Sequence, residues 1–219
     1  LYLRALDLLI TMQRSLTPRA YPDCPALQFS FTAKQFRWEL DFFRLHTLEG
    51  FYGATPEAAE TTTLEKFFDL LSTTAVNQPA VFTHRDFHSR NLLIDDNELR
   101  IIDYQDARIG PYTYDLVSIL HDPYVNLKEE TREQLFLYYY RSRPRGAGNI
   151  SLDRFHRDCD MMSLQRLLKA AGTYGYMTVE KERGWYGKHL PAVFDTVNSI
   201  LEKYPELRKA GKILEKYTH

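Results

Sequence analysis

Apolar residues recur at helical spacing over the first fifteen positions, where Leu3, Leu6, Leu9 or Ile10 and Gln13 share one face and Pro18 marks the stop. The connector from Thr17 to Pro25 holds three prolines. Thr32-Ala33-Lys34-Gln35 has the form of a capping box, and Phe36, Leu40 and Phe43 continue it as a stripe that Gly50 to Thr55 breaks. Leu64, Phe67, Phe68 and Leu71 make another helical face that ends before Pro79. The pattern then changes. Ala80 to Thr83 is short and β-prone, and two apolar runs, Asn91 to Ile94 and Leu99 to Ile102, flank Asp95-Asp96-Asn97-Glu98 as a tight hairpin would. Past Gly110-Pro111 the helical period returns at Leu116, Ile119 and Leu120, and again over roughly 128–141. A Pro/Gly loop spans Arg143 to Asn149, and Ser151 caps a helix carrying Leu164, Leu167 and Leu168. Helices near 189–203 and 206–217, with Pro205 between them, close the chain. With no internal repeat, the pattern predicts a mainly helical domain with one small β-hairpin.

Composition narrows the possibilities without pointing to chemistry. The chain has 219 residues, 44% hydrophobic and 14% aromatic, which excludes a disordered or low-complexity protein. Apolar runs such as Leu92-Leu93-Ile94 are too short to cross a bilayer as a helix. Lys and Arg number 28 against 29 Asp and Glu, a balance that argues against nonspecific nucleic-acid binding as the main role. Cys24 and Cys159 give no disulfide framework and read as packing residues, so a reducing cytoplasm is expected. The first fifteen residues carry Arg4, Asp7 and Arg14 in an amphipathic pattern and do not read as a signal peptide.

The chemistry is concentrated between residues 81 and 103. Val81 to Asn91 is dense in polar side chains yet lies between apolar strand candidates, which is costly unless those groups have partners or a ligand. Asn91 follows Asp86 by five positions, and Asp103 follows Asn91 by twelve at the end of the hairpin's second strand. An acid, an amide oxygen and a second acid can thus meet at one end of a hairpin. That set suits phosphoryl transfer, which needs hard oxygen ligands for a divalent metal and a group that accepts the acceptor's hydroxyl proton. Asn91 and Asp103 supply the oxygens, and Asp86 is left for the proton.

His84-Arg85-Asp86 followed by Asn91 resembles the H-R-D-x-x-x-x-N catalytic loop of kinases, and Ile102-Asp103-Tyr104 resembles the metal-binding aspartate segment. Only about a dozen residues separate Asp103 from Tyr114-Asp115-Leu116, Gln105 replaces the glycine of D-F-G, and nothing resembles A-P-E, so a protein-kinase activation segment has no room. His88 completes the H-x-D-x-H-x-x-N form of aminoglycoside phosphotransferase-like small-molecule kinases. The segments His84 to Leu92, Ile102 to Ala107, Gly110 to Asp115 and Leu164-Gln165-Arg166-x-x-Lys169 are similar to the bacterial cell-wall amino-sugar kinases, which phosphorylate the anomeric hydroxyl of N-acetylmuramate or N-acetylglucosamine. The likeness covers residues 80–125 and extends to 160–175.

The resemblance implies a kinase-like C-terminal lobe with ATP and Mg²⁺ as cofactors and a small amino sugar as acceptor. Asp86 is the implied base, and Asn91 and Asp103 the implied metal ligands. Asp115 is implied to accept backbone N–H bonds from the catalytic loop, and His84 to be a buried support. Arg85 and Arg90 are left either to phosphate charge or to pairing with Asp103, Asp106 or Asp115. His88, Arg90, Gln105 and Asp106 are the candidates for contact with the acceptor. The same likeness implies a cytoplasmic role in cell-wall recycling, with aminoglycosides, choline or homoserine as other acceptors of the wider family.

Competing assignments are weaker. A metal-hydrolase cluster of His84, Asp86 and His88 leaves the spacing of Asn91 and Asp103 unexplained. Arg141, Arg143 and Arg145 fit favourable charges at a helix C-terminus as well as an anion site. Tyr174, Trp185 and Tyr186 fit packing or a sugar platform, and Arg166 and Lys169 a solvated face or a lactyl carboxylate. Before residue 84 there is no G-x-G and no V-A-x-K strand; the two glycines there, Gly50 and Gly53, fall in a helix connector. Residues 1–219 are therefore expected to be a C-terminal lobe without its nucleotide lobe, binding Mg-ATP poorly alone. The other class of assignment is a kinase-like scaffold without catalysis.

Overall fold

The computed structural model describes residues 1–16, 23–122, 124–125, 127–144 and 149–218. Pro18, most of the proline-rich connector and Arg145 lie outside the described residues. The helices are α1 (Tyr2–Ser15), α2 (Ala33–Phe43), α3 (Ala58–Val76), α4 (Tyr114–Leu120), α5 (Glu129–Ser142), α6 (Leu152–Val179), α7 (Leu190–Glu202) and α8 (Arg208–Thr218). The strands are β1 (Ala80–Thr83), β2 (Leu92–Asp95), β3 (Glu98–Ile101) and β4 (Arg108–Pro111). The protein is mainly helical with small antiparallel sheets, as the periodicity predicts. Contacts divide the chain into two compact units: Leu1–Thr32 with Ala75–Met162, and Ala33–Thr74 with Ser163–His219.

In the first unit the predicted hairpin forms as β2–β3, with Leu92 opposite Ile101 and Asp95 opposite Glu98. Asp96 and Asn97 both take left-handed conformations, φ 46° and 61°, as a two-residue hairpin turn of the favoured twist requires. A second ribbon pairs β1 with β4, Val81 opposite Gly110 and Thr83 opposite Arg108. That ribbon corrects the single hairpin expected from sequence. Gly110 and Pro111 read locally as a break, yet Pro111 is only the last residue of its strand. Gly110 sits against Phe31, whose Cδ2 would lie 2.5 Å from a Cβ at that position. The strand exists because the chain around Phe31 covers it: Phe31 N–H donates to Ile109 O, and Ile109 N–H to Phe29 O.

The core of this unit gathers Leu6, Leu9, Phe87, Leu116, Ile119 and Phe155, all essentially solvent-free. Burial of each such side chain contributes roughly 1.5–3 kcal/mol. Polar groups thread the same core as a satisfied network. The Tyr139 hydroxyl shares its one hydrogen between Gln13 Oε1 at 2.7 Å and Tyr112 O at 2.9 Å. Thr113 donates to Gln78 Oε1 at 2.6 Å, and Gln78 donates onward to Asp158 O at 2.9 Å. Gln13, on the apolar face of α1, is thus a core hydrogen-bonding residue. Burial raises the phenol pKa of Tyr112 and of Tyr139, so both stay donors. Tyr112 and Thr113 are consequently fixed beneath the start of α4.

The second unit packs Phe36, Leu40, Phe43, Leu64, Phe68, Phe194 and Leu214 at its centre. The break expected over Gly50 to Thr55 falls at Tyr52, and up to it α2 runs on as a π-helical segment from Arg44 to Phe51. Its wider turns lie against α6 at two glycines. A Cβ on Gly175 would fall 2.4 Å from Thr47 Oγ1, and one on Gly172 would fall 2.9 Å from Phe43 Cα. Thr47 donates to Ala171 O at 2.7 Å, and Gln165 to the buried Glu39 at 2.7 Å. The 189–203 and 206–217 helices form with short 3-10 turns, Gly184–His189 and Pro205–Leu207, ahead of them.

Candidate active site

The candidate catalytic-loop residues follow directly from β1 and lie within the first unit. Burial alternates along them: His84 and Phe87 point into the core, while Arg85, Asp86 and His88 are half-buried. Phe87, fully buried, pins the loop and turns Asp86 to the other side. Arg85 holds φ at 79°, a left-handed backbone that costs a non-glycine residue roughly 1–2 kcal/mol. The surrounding structure enforces it. Asp115, completely buried in the first turn of α4, accepts His84 N–H at 2.6 Å and Arg85 N–H at 3.0 Å.

Asn91 joins the two acids. Its Nδ2 donates to Asp86 O at 2.9 Å and to Asp103 Oδ2 at 3.3 Å. Asp103 is the second strained residue of the site, with φ 70°. Backbone strain of this kind clusters where surrounding contacts over-determine it, commonly at active sites. The hairpin register explains the meeting. Leu92 lies opposite Ile101, and Ile102 N–H donates to Asn91 O at 3.1 Å, so residues 91 and 103 emerge together at the open end. Among the described residues no hydrogen bond or ion pair is made to the Asp86 carboxylate.

The remaining candidates are occupied by neighbours. Gln105 donates to Asp103 Oδ1 at 2.8 Å. Asp106 pairs with Arg85 at 3.2 Å, one of the pairings left open for that arginine. The Arg90 guanidinium stacks over the Tyr124 ring at 3.4 Å. His88 N–H donates to Asp86 O at 3.1 Å, and its ring lies 6.1 Å from that of Tyr124. One residue absent from the sequence reading also bears on the loop: Asp122, buried, accepts Ser89 N–H at 2.7 Å. A lone aspartate after an apolar run gives no local signal of such a contact.

Asn91 directs its amide nitrogen at both oxygens, which leaves its Oδ1 as an acceptor. A carbonyl and a carboxylate are the hard donors that Mg²⁺ takes, so the set fits that ion. Among the described residues no three His, Cys, Asp or Glu side chains group as a metal site, which leaves the hydrolase cluster of His84, Asp86 and His88 without support.

His84 is buried, and neither ring nitrogen has a hydrogen bond of ordinary geometry. Burial lowers its pKa below 6.5, opposed by the Asp86 carboxylate, the Ile102 backbone and Asp103. As pH falls through 6.5 the unfolded chain therefore takes up a proton that the folded one resists, and stability drops. His84→Phe, which keeps a ring against Phe87, is expected to shrink the loss of melting temperature between about pH 7.5 and about pH 5.5. An unchanged loss in that variant would contradict the assignment.

The other sequence candidates fall in the second unit or at a helix end. Trp185 stacks on Tyr186 at 3.8 Å, and Tyr174 lies 5.9 Å from Tyr186, within the second unit. Arg166 and Lys169 lie on the part of α6 in that same unit. Arg141 stands in the last turn of α5, and Arg143 donates to Tyr140 O and to Ile150 O, holding a helix end.

Comparison with known proteins matches residues 2–148 to the family described as "APH: Phosphotransferase enzyme family". Two Pseudomonas proteins named N-acetylmuramate/N-acetylglucosamine kinase are similar along nearly the whole chain. That of P. putida is 28% identical over 217 residues, covering 98% of this chain and 62% of the relative. That of P. aeruginosa is 30% identical over 213 residues, covering 96% and 61%. A Neisseria meningitidis protein of the same name is 33% identical over 142 residues, covering 64% and 42%. The chain thus spans about three fifths of the length of the two Pseudomonas relatives. Among solved structures, a choline kinase from Cryptosporidium parvum covers 99% of this chain and 58% of its own, at 14% identity and a TM-score of 0.42.

Proposed function

This chain belongs to the phosphotransferase enzyme family, and from that premise we propose that the protein transfers the γ-phosphoryl group of ATP to a hydroxyl of a small amino sugar, N-acetylglucosamine or N-acetylmuramate. One observation carries the reading. Asn91 ties the Asp86 main chain to Asp103 while the Asp86 carboxylate keeps no partner among the described residues. A scaffold has no use for a polar loop strained at Arg85 and Asp103 around an unengaged acid.

In this mechanism Asp86 orients the acceptor hydroxyl and takes its proton as the oxygen–phosphorus bond forms and the bond to the leaving ADP oxygen breaks. Asn91 and Asp103 would hold Mg²⁺, which supplies neutralisation of the polyphosphate charge. Asp115 keeps the loop in the backbone conformation that presents Asp86. Gln105 holds the Asp103 carboxylate from the side opposite Asn91, and Arg85 with Asp106 braces the segment between. Most of the rate gain then comes from positioning and fixed charge. The reaction also calls for a phosphate-covering loop and a strand lysine. Neither occurs before residue 84, and the span of the relatives is compatible with their lying elsewhere in a longer protein. A cytoplasmic role in recycling cell-wall sugars follows from the amino-sugar acceptor.

The test is a screen of the full-length protein with Mg-ATP against amino sugars, aminoglycosides, choline and homoserine, reading nucleotide consumption and product. Sugar phosphorylated at the anomeric oxygen is the expected product. Turnover only with choline, homoserine or an aminoglycoside would overturn the acceptor, and no turnover with any of them would overturn phosphoryl transfer.

A further inference from the structure

Asp122 lies two residues past the C-terminal end of α4 and is only 3% exposed. A carboxylate there is desolvated and faces the negative end of a helix, an unfavourable place unless something else holds it. Two backbone donors do: Ser89 N–H at 2.7 Å and Tyr124 N–H at 2.9 Å. Asp115 stands in the first turn of α4 and Asp122 just past its last, and both carboxylates accept amides of the same loop. Asp115 binds the amides of His84 and Arg85, just before Asp86. Asp122 binds the amide of Ser89, between Asp86 and Asn91. The side chains flanking Ser89 converge on the same anchor: the Arg90 guanidinium lies 3.4 Å over the Tyr124 ring, and the His88 ring 6.1 Å from it.

We infer that Asp122, with Tyr124 beside it, is the positioning residue for the second half of the catalytic loop, setting where Asn91 presents its amide. The inference rests on the phosphotransferase reading and extends it. Arg90 is in this view a brace stacked on Tyr124, and its charge helps fix the loop. Asp115 sets the proton-accepting half and Asp122 the metal-holding half, so their losses differ in kind. Removing a residue that orients a metal ligand costs roughly 10- to 100-fold in metal affinity or activity. Loss of Asp122 should therefore raise the Mg²⁺ concentration needed for half-maximal rate by that factor, with the rate partly restored at high Mg²⁺.

Asp122→Ala and Asp122→Asn, made in the full-length protein, separate the possibilities. Amide exchange across 87–92, measured without nucleotide or metal, reads the clamp directly; the Mg²⁺ dependence of the rate reads its consequence. Expected are faster exchange at Ser89 in both variants and a raised Mg²⁺ requirement, smaller for Asn, which keeps one acceptor oxygen. If the alanine variant does not fold, the asparagine variant decides by the same two readouts. Wild-type protection of Ser89 overturns the inference, as does a rate lowered equally at every Mg²⁺ concentration. If the unaltered protein transfers no phosphate to any acceptor, the phosphotransferase reading fails by itself, and wild-type or faster exchange at Ser89 still decides whether Asp122 holds the loop.

Discussion

Asp86→Asn in the full-length protein is expected to lower the rate of phosphoryl transfer by roughly 10²- to 10⁴-fold, the usual contribution of a general base, with the melting temperature unchanged. The separation of effects comes from how Asp86 is held. Its carbonyl, which asparagine keeps, accepts Asn91 Nδ2 and His88 N–H. Its carboxylate, which asparagine loses, has no partner among the described residues, so no buried donor is stranded. A factor of that size is roughly 3–5 kcal/mol of transition-state stabilisation. Parallel measurement of kcat and of thermal unfolding checks it. Full activity in the variant would remove Asp86 from the base role, and a large fall in stability would show a structural role that the geometry does not contain.

The site was legible in the sequence to the extent that local geometry fixes it. A spacing of twelve positions from Asn91 to Asp103 means a meeting only if the chain reverses tightly, and Asp96-Asn97 supplies the two left-handed positions that reversal needs. Helix periodicity survived for the same reason, since Leu6 and Leu9, or Phe36, Leu40 and Phe43, sit on one face by local geometry alone. What escaped depends on partners far along the chain. β4 is a strand because Phe31 fills the space above Gly110. The neighbours of Gln105 and Arg90, Asp103 and Tyr124, were likewise not readable from the sequence. Asp122 gave no signal, because its partner amide lies thirty-three residues upstream. Polar residues thus revealed their type from sequence, whereas their partners emerged only with the fold.

Asp115→Ala should act in the opposite way to Asp86→Asn, removing stability and activity together. Asp115 has no exposed surface, and the amides of His84 and Arg85 point at its two oxygens at 2.6 and 3.0 Å. Each buried donor left without an acceptor costs roughly 1–3 kcal/mol, so the pair amounts to about 2–6 kcal/mol before the cavity left by the side chain is counted. Against a typical total stability of roughly 5–15 kcal/mol, that is a large share. The same bonds hold Arg85 at φ 79°, a conformation the residue would leave once released. Release moves the next residue, Asp86, so the loop should lose its geometry at temperatures where the rest of the unit is still folded. Asp115→Asn should fall between the two, because it keeps one acceptor oxygen and turns an amide donor toward the other backbone N–H. Denaturant unfolding of the three proteins, read beside their rates, tests the order. A stable but inactive Asp115→Ala would assign Asp115 to the chemistry itself, and a stable, active one would show that the two amides are satisfied by some other group.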